Sequence, residues 1–240
     1  MAVNAGGAWG KLDPQTLADG TIVGGYFLPL DAQQINAIGR PSEQASGFTG
    51  GGQVGYNLQF ANNFVAGIEG DFDYLHLHAS NSSGAVYLCC APSSFNVSTS
   101  TTTDWLLTLR PRVGFLAMPN LLIYATGGLA LSQARSSFLF TDDYFAGASA
   151  SGQLSDIRAG WTVGGGAEYA LTPNWSIKAE YLYADLGRRS TTGIVTSITS
   201  GAYPTSVFTH SIDPRVNIAR VGINYKFDFL APPAPVVAKY

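Results

Sequence analysis

The sequence predicts an all-β chain: an eight-stranded, antiparallel, up-and-down β-barrel that crosses a membrane. Three observations lead there. Segment after segment alternates apolar and polar residues, the pattern of strands with one apolar face. The connections between segments run long, short, long, short, long, short, long. In an antiparallel meander the long ones then gather at one end and the tight turns at the other. No run of about 18 apolar residues exists, so no transmembrane helix is expected. Yet the 240 residues are rather apolar for a chain with 28 glycines. Apolar side chains facing lipid, diluted by a polar lining, reconcile the two.

Taken in order, Ala2 to Gly10 reads as the first strand, with Trp9 near its end. Lys11 to Ser46, punctuated by Pro14, Pro29 and Pro41, reads as a long connection with a short helix near Ala32–Ile38. Gly47 to Leu58 sets Phe48, Val54, Tyr56 and Leu58 against Thr49, Gln53 and Asn57. Phe60 to Asn63 is a tight turn. Phe64 to Leu75 answers it, with Phe64, Ala66, Ile68, Phe72 and Tyr74 opposite Glu69, Asp71 and Asp73. His76 to Thr102 is Ser- and Thr-rich and reads as the second long connection. Thr103 to Leu116 sets Trp105, Leu107, Leu109, Val113 and Phe115 against Asp104, Thr108, Arg110 and Arg112. Pro111 falls on the apolar parity, where a bulge is expected.

Met118 to Asn120 turns the chain into Leu121–Gln133, a fifth strand whose facing is open because both faces are apolar or small. Ala134 to Ser155 is the third long connection. Arg158 to Leu171 is a sixth strand, with Trp161, Val163, Ala167 and Tyr169 outward and Arg158, Thr162 and Glu168 inward. After Thr172-Pro173-Asn174, Trp175 to Ala184 sets Trp175, Ile177, Ala179, Tyr181 and Tyr183 against Lys178 and Glu180. Leu186 to His210 is the last long connection, and Val216 to Phe227 closes the barrel. Residues 1–227 are thus read as the barrel, and Asp228–Tyr240, Pro-rich, as an extended periplasmic tail.

Alternation alone does not say which parity meets lipid. The aromatics do. Tyr56, Phe64, Phe115, Tyr169, Trp175, Tyr225 and Phe227 lie next to tight turns or at the last strand's end. Trp9, Phe48, Phe72, Tyr74, Trp105, Trp161, Tyr181 and Tyr183 lie near the long connections. Two belts at the ends of the apolar face are what membrane interfaces select. The other parity then lines the lumen with Glu69, Asp71, Asp73, Asp104, Glu168 and Glu180, and with Arg110, Arg112, Arg158, Lys178, Arg220 and Lys226. An eight-stranded barrel is just wide enough for side chains to fill, so these opposite charges are expected to meet as an ion network.

The last strand carries RVGINYKF, which resembles the closing-strand signal of bacterial outer-membrane barrels. On that resemblance Gly222, Tyr225 and Phe227 are the residues read by the barrel-assembly machinery. The segments VNAGGAWG, GFTGGGQVGYNLQF, FVAGIEGDFDY, TDWLLTLRPRVGF, LIYATGGLAL, GWTVGGGAEYAL, WSIKAEYLYADLG and NIARVGINYKF resemble the small porin-like proteins of alphaproteobacteria, also called outer-membrane immunogenic proteins. The resemblance covers nearly every expected strand and little of the connections. It implies a barrel like that of outer-membrane protein A, in the bacterial outer membrane among its lipids and lipopolysaccharide. Met1 leads straight into AVNAGGAWG with no secretory signal, so the chain reads as mature or truncated.

Function classes narrow accordingly. Charged residues are 12% of the chain and the net charge is −3, which offers no footprint for nucleic acid. No cofactor or metal site is expected: His76 and His78 share a strand face without a third ligand. The glycine triples Gly50–Gly52 and Gly164–Gly166 lie inside strands, lack a following Lys-Ser/Thr, and suit barrel curvature rather than phosphate. Adjacent Cys89 and Cys90 imply no disulfide framework. With no nucleophile placed beside a base, an enzyme is not expected. The leading expectation is a structural, surface-exposed barrel that supports the envelope and displays its connections. A small diffusion pore, or a loop-borne adhesin or receptor for a host partner or a small ligand such as heme, stays open.

Overall fold

The computed structural model describes residues 1–20, 25–60, 63–144 and 147–227. In chain order the elements are β1 (Ala2–Lys11), β2 (Gln15–Ala18), α1 (Pro29–Ile38), β3 (Gln44–Phe60), β4 (Phe64–Val86), β5 (Ser94–Met118), β6 (Leu121–Asp142), β7 (Ala148–Ala170), β8 (Trp175–Asp185), β9 (Arg189–Ser197), β10 (Gly201–Ile212) and β11 (Arg215–Tyr225). Eight strands close a ring in the order β1-β3-β4-β5-β6-β7-β8-β11, each pair antiparallel. Closure is made by β1 on β11, from Ala2 opposite Asn224 to Lys11 opposite Arg215. The ring thereby satisfies its backbone hydrogen bonds internally, which lipid demands.

Parity follows the side chains. Phe48, Val54, Tyr56, Phe64, Ile68, Phe72, Leu109, Val113, Phe115, Trp161, Val163, Ile177, Val221 and Ile223 are exposed on the outside of the ring. Their neighbours Glu69, Asp71, Arg110, Lys178, Glu180 and Arg220 are buried inside it. For Leu121–Gln133 the facing is now settled: Leu122, Tyr124, Thr126, Ala130 and Ser132 are buried, and Ile123 and Leu129 are exposed. On β7, Trp161 and Tyr169 stand eight positions apart, and on β4, Phe64 and Tyr74 ten apart. A tilted transmembrane strand needs about 9–11 residues, so these belts bracket one membrane crossing.

The long connections differ from expectation. Strands β4 to β7 have 23, 25, 22 and 23 residues, about twice what a crossing needs. Most of His76–Thr102 and Ala134–Ser155 is therefore strand, and Leu186–His210 holds β9 and most of β10. Beyond the membrane no lipid selects an apolar outer face, so polarity there does not mean loop. The inward face keeps the alternation: Phe95, Val97, Thr99, Thr101 and Thr103 are all buried. Within Lys11–Ser46 the helix is present but begins at Pro29, where proline suits the first turn. Asp31 accepts the Leu28 N–H at 3.2 Å to close that turn. Among the described residues, β2, β10 and β9 form a sheet whose one ladder to the ring pairs Ala148 and Ser149 of β7 with Ser197 and Thr196 of β9.

Pro111 makes no bulge. Its register with Ile68 is regular, and pairing to β6 resumes unshifted at Arg112 opposite Thr126. The Pro111 carbonyl instead accepts the Thr126 hydroxyl at 3.0 Å. The bulge lies at Asp104–Trp105, between Thr103 opposite Ala134 and Leu106 opposite Ser132. It reverses the facing of β5, so odd positions point inward before it and even positions after it. The closing strand ends at Tyr225, two residues before Phe227, though the Lys226 N–H still donates to the Asn174 carbonyl at 2.8 Å. The tail Asp228–Tyr240 and part of the Phe60–Asn63 turn lie outside the described residues.

Candidate functional site

The lumen is built in layers, each strand contributing one residue in two to each. Nearest the tight turns, Glu69, Asp71, Asp73, Glu168 and Glu180 meet Arg110, Arg112, Lys178 and Arg220. Arg110 Nη2 reaches Glu69 at 3.0 Å, Asp71 at 2.7 Å and Glu180 at 3.5 Å. Arg112 spans Glu69 at 3.4 Å and Glu168 at 2.9 Å, with its guanidinium 4.0 Å from the centre of the Tyr124 ring. Arg220 binds Asp71, Asp73 and Glu180 together. Lys178 donates to Gln53 and lies 3.6 Å from Glu180. Uncharged neighbours complete the bonds: Thr108 donates to Asp71 at 2.9 Å, Tyr124 to Glu180 at 2.9 Å and Ser176 to Glu168 at 2.6 Å. Gln53, Thr108, Tyr124 and Ser176 are members that charge alone does not reveal; inward parity beside an ionised residue is the signal that finds them. A Cβ on Gly166 would meet the Ala179 carbonyl oxygen and lie 2.8 Å from the hydroxyl of Tyr124, its partner on β6, so that glycine makes room for the neighbouring strand and for the Tyr124 ring.

Three of the twelve lumen candidates stand elsewhere. Asp104 is displaced outward by the β5 bulge and pairs with exposed Arg135 at 2.9 Å. Lys226 lies past the end of β11 and is exposed at the turn. Arg158 is buried in the lumen but sits farther up, where, among the described residues, its one bond is from Nη1 to the Gly187 carbonyl at 3.3 Å.

Above the ions lies an aliphatic layer. Leu12, Leu75, Leu77, Leu106, Leu182, Val216 and Ile218 pack together with at most 1% exposure each. Hydroxyl groups follow: Thr99 donates to Glu43 at 2.8 Å, and Thr101 and Ser136 share a bond of 2.8 Å. Buried His210 lies between Ser136, 2.9 Å from Nε2, and Thr16, 2.8 Å from Nδ1. Burial pushes its imidazole pKa down to about 4, so it is neutral near pH 7. Burial also raises the Glu43 carboxyl, against the Thr99 bond that lowers it.

The far end is closed by aromatics. Phe27, Phe95, Phe138, Phe140 and Phe208 form one cluster with Ala32 and Ile35 of α1. Over it, Tyr26 and Tyr87 both donate to Asp142, and the Ala148 N–H adds a third bond at 2.7 Å. Burial and the facing Asp142 carboxylate raise both phenols. Cys89 and Cys90, in the turn between β4 and β5, are joined as a disulfide between neighbours. His76 and His78 point outward; His76 stacks on Tyr74 and His78 Nδ1 meets the Thr102 hydroxyl at 3.0 Å.

Of the closing-strand residues, Gly222 faces the lumen where a Cβ would lie 2.9 Å from the Val3 carbonyl oxygen. Tyr225 packs edge-on against Trp175 and Phe227, with ring centres 4.9 and 4.7 Å apart. These three rings mark the tight-turn end of the belt.

Residues 14–227 match the outer membrane protein β-barrel domain. The chain belongs to this family of outer-membrane β-barrels. It is 37% identical over 230 residues to the 31 kDa outer-membrane immunogenic protein of Brucella melitensis biotype 1, covering 95% of this chain and 82% of the relative. The same figures hold for the protein of that name from Brucella suis biovar 1. Among solved structures, Neisserial surface protein A superposes with a TM-score of 0.38 at 14% identity, covering 94% of this chain and 96% of that one. The family and these relatives place the chain in the bacterial outer membrane, as a transmembrane β-barrel.

Proposed function

We propose that this outer-membrane barrel is a closed structural protein that supports the envelope and displays its far end at the cell surface. The layered lumen carries the reading. A diffusion pore needs a continuous wet path, and here an ion network is roofed by leucine and isoleucine side chains that see no solvent. Strands twice the length of a crossing, braced by α1 and the aromatic cluster, suit a rigid platform held above the membrane. At that platform Leu30 and Leu88 are 68% and 83% exposed, linked through Gln34, which donates to the Val86 carbonyl at 2.7 Å. The curated relatives are called immunogenic, which accords with surface display. Catalysis is not part of the reading. Ser136 and His210 make a serine–histidine pair, but both are buried and a threonine, not a carboxylate, faces Nδ1. Refolded protein in planar bilayers is expected to show no stable conductance steps; a large, persistent single-channel current would overturn the closed-barrel reading.

A further inference from the structure

We propose that the barrel binds a small oxyanion, a phosphate, sulfate or carboxylate, on the guanidinium of Arg158. The four cations of the ion network each lie within 4 Å of at least one carboxylate. Arg158 is 1% exposed and, among the described residues, has no carboxylate in salt-bridge reach. Its Nη1 donates to the Gly187 carbonyl, while Nε and Nη2 have no hydrogen-bond partner among the described residues. Nε and Nη2 form one edge of the guanidinium, the edge whose two parallel N–H bonds fit two oxygens of one oxyanion. Leaving a buried charge without a counter-charge is costly, so the fold gains by recruiting one.

The surroundings fit such a ligand. Arg158 stands opposite Ser132, just above the aliphatic layer. Thr103, two strands away and opposite Ala134, has a buried hydroxyl that is also without a partner among the described residues. Of the charged groups acting on Arg158, Arg189 adds a second positive charge, while Asp156 and Asp213 oppose it. Asp213 is engaged by Arg215 at 2.7 Å and Asp156 is exposed, so neither neutralises the guanidinium directly. The strand that carries it is also unladdered on one side: among the described residues, β7 has no ladder to β8 or β9 between Ala150 and Gly160, the stretch that carries Arg158. Arg189 opens β9 beside that gap, exposed.

The test is urea unfolding of the refolded protein in zwitterionic detergent, with sodium sulfate or phosphate exchanged for chloride at constant ionic strength. The wild-type midpoint is expected to rise and saturate with either anion. Arg158→Met is expected to abolish the response. Arg189→Ala, at an exposed position, should leave the fold intact and raise the half-saturating concentration by about fivefold, the effect of one nearby charge. A flat wild-type curve, an Arg158→Met variant that responds like wild type, or a response to added phosphatidylglycerol but not to sulfate or phosphate would each overturn the site. If Arg158→Met does not fold, Arg189→Ala decides: an unchanged half-saturating concentration counts against the proposal.

Discussion

Arg220 binds three carboxylates, Asp71, Asp73 and Glu180, in a place closed to water. Removing it strands Asp73 and leaves Asp71 and Glu180 to Arg110, Lys178 and their hydroxyl donors. Arg220→Met is expected to lose about 3–5 kcal/mol of unfolding free energy, measured by urea titration in detergent. Asp104→Ala, which breaks only an exposed pair, should change it by no more than about 0.5 kcal/mol. Equal effects would show that the lumen charges are solvated rather than interlocked. His210 supplies a pH dependence. Its folded pKa is lowered to about 4, whereas an unfolded histidine titrates near about 6.5. Between those values the unfolded chain binds the proton and the folded chain does not, so stability falls as pH drops through this window and is level above it. Glu43, raised by burial, acts with the opposite sign. The difference between wild type and His210→Gln therefore isolates the imidazole, and it should grow from about pH 4 to about pH 6.5. A flat difference profile would mean that His210 is not held neutral.

At the scale of elements, the ring strands were legible and their extensions were not. Leu107, Leu109, Val113 and Phe115 declare β5 because lipid demands an apolar outer face. Ser94 to Thr103 has no such demand outside the membrane, and its strand character rests on Phe95, Val97, Thr99, Thr101 and Thr103 at every second position. Threonine is β-branched and favours the strand, but that signal is weak beside the polarity of the segment. The bulge at Asp104 had no sequence mark, since it answers a register set by β6. That is why alternation alone puts Asp104 in the lumen with Arg110. The end of β11 carries a further expectation. Phe227 packs on Tyr225 at the turn-end belt, and Phe227→Ala should slow assembly into the membrane without lowering the stability of protein once folded. Normal assembly kinetics in cells would detach the closing-strand signal from this residue.

For the whole molecule, the orientation is the open variable that one experiment resolves. The turns at Met118–Leu121 and Ala170–Trp175 lie at one end; α1, the β4–β5 turn and the β9–β10 hairpin lie at the other. With the long end outward, protease added to intact cells should cut between Val86 and Ser94 or between Asp142 and Ala148, and spare Asn120 and Asn174. Cutting at Asn120 in intact cells would invert the barrel.

Period, parity and the spacing of turns were enough, without coordinates, for eight strands, antiparallel order and an apolar exterior, because each is a local consequence of alternation against a lipid boundary. The ionic layer was legible for the same reason: Glu69, Asp71, Arg110, Lys178, Glu180 and Arg220 all sit on the parity opposite the lipid face. What closes above that layer was decided only by the tertiary structure. Which inward residues share a height depends on strand stagger and on the β5 bulge, and neither is encoded by any one segment. So the aliphatic roof of Leu75, Leu106, Leu182 and Ile218, the burial of His210 between Thr16 and Ser136, and the lack, among the described residues, of a carboxylate in salt-bridge reach of Arg158 appear only once the ring is closed.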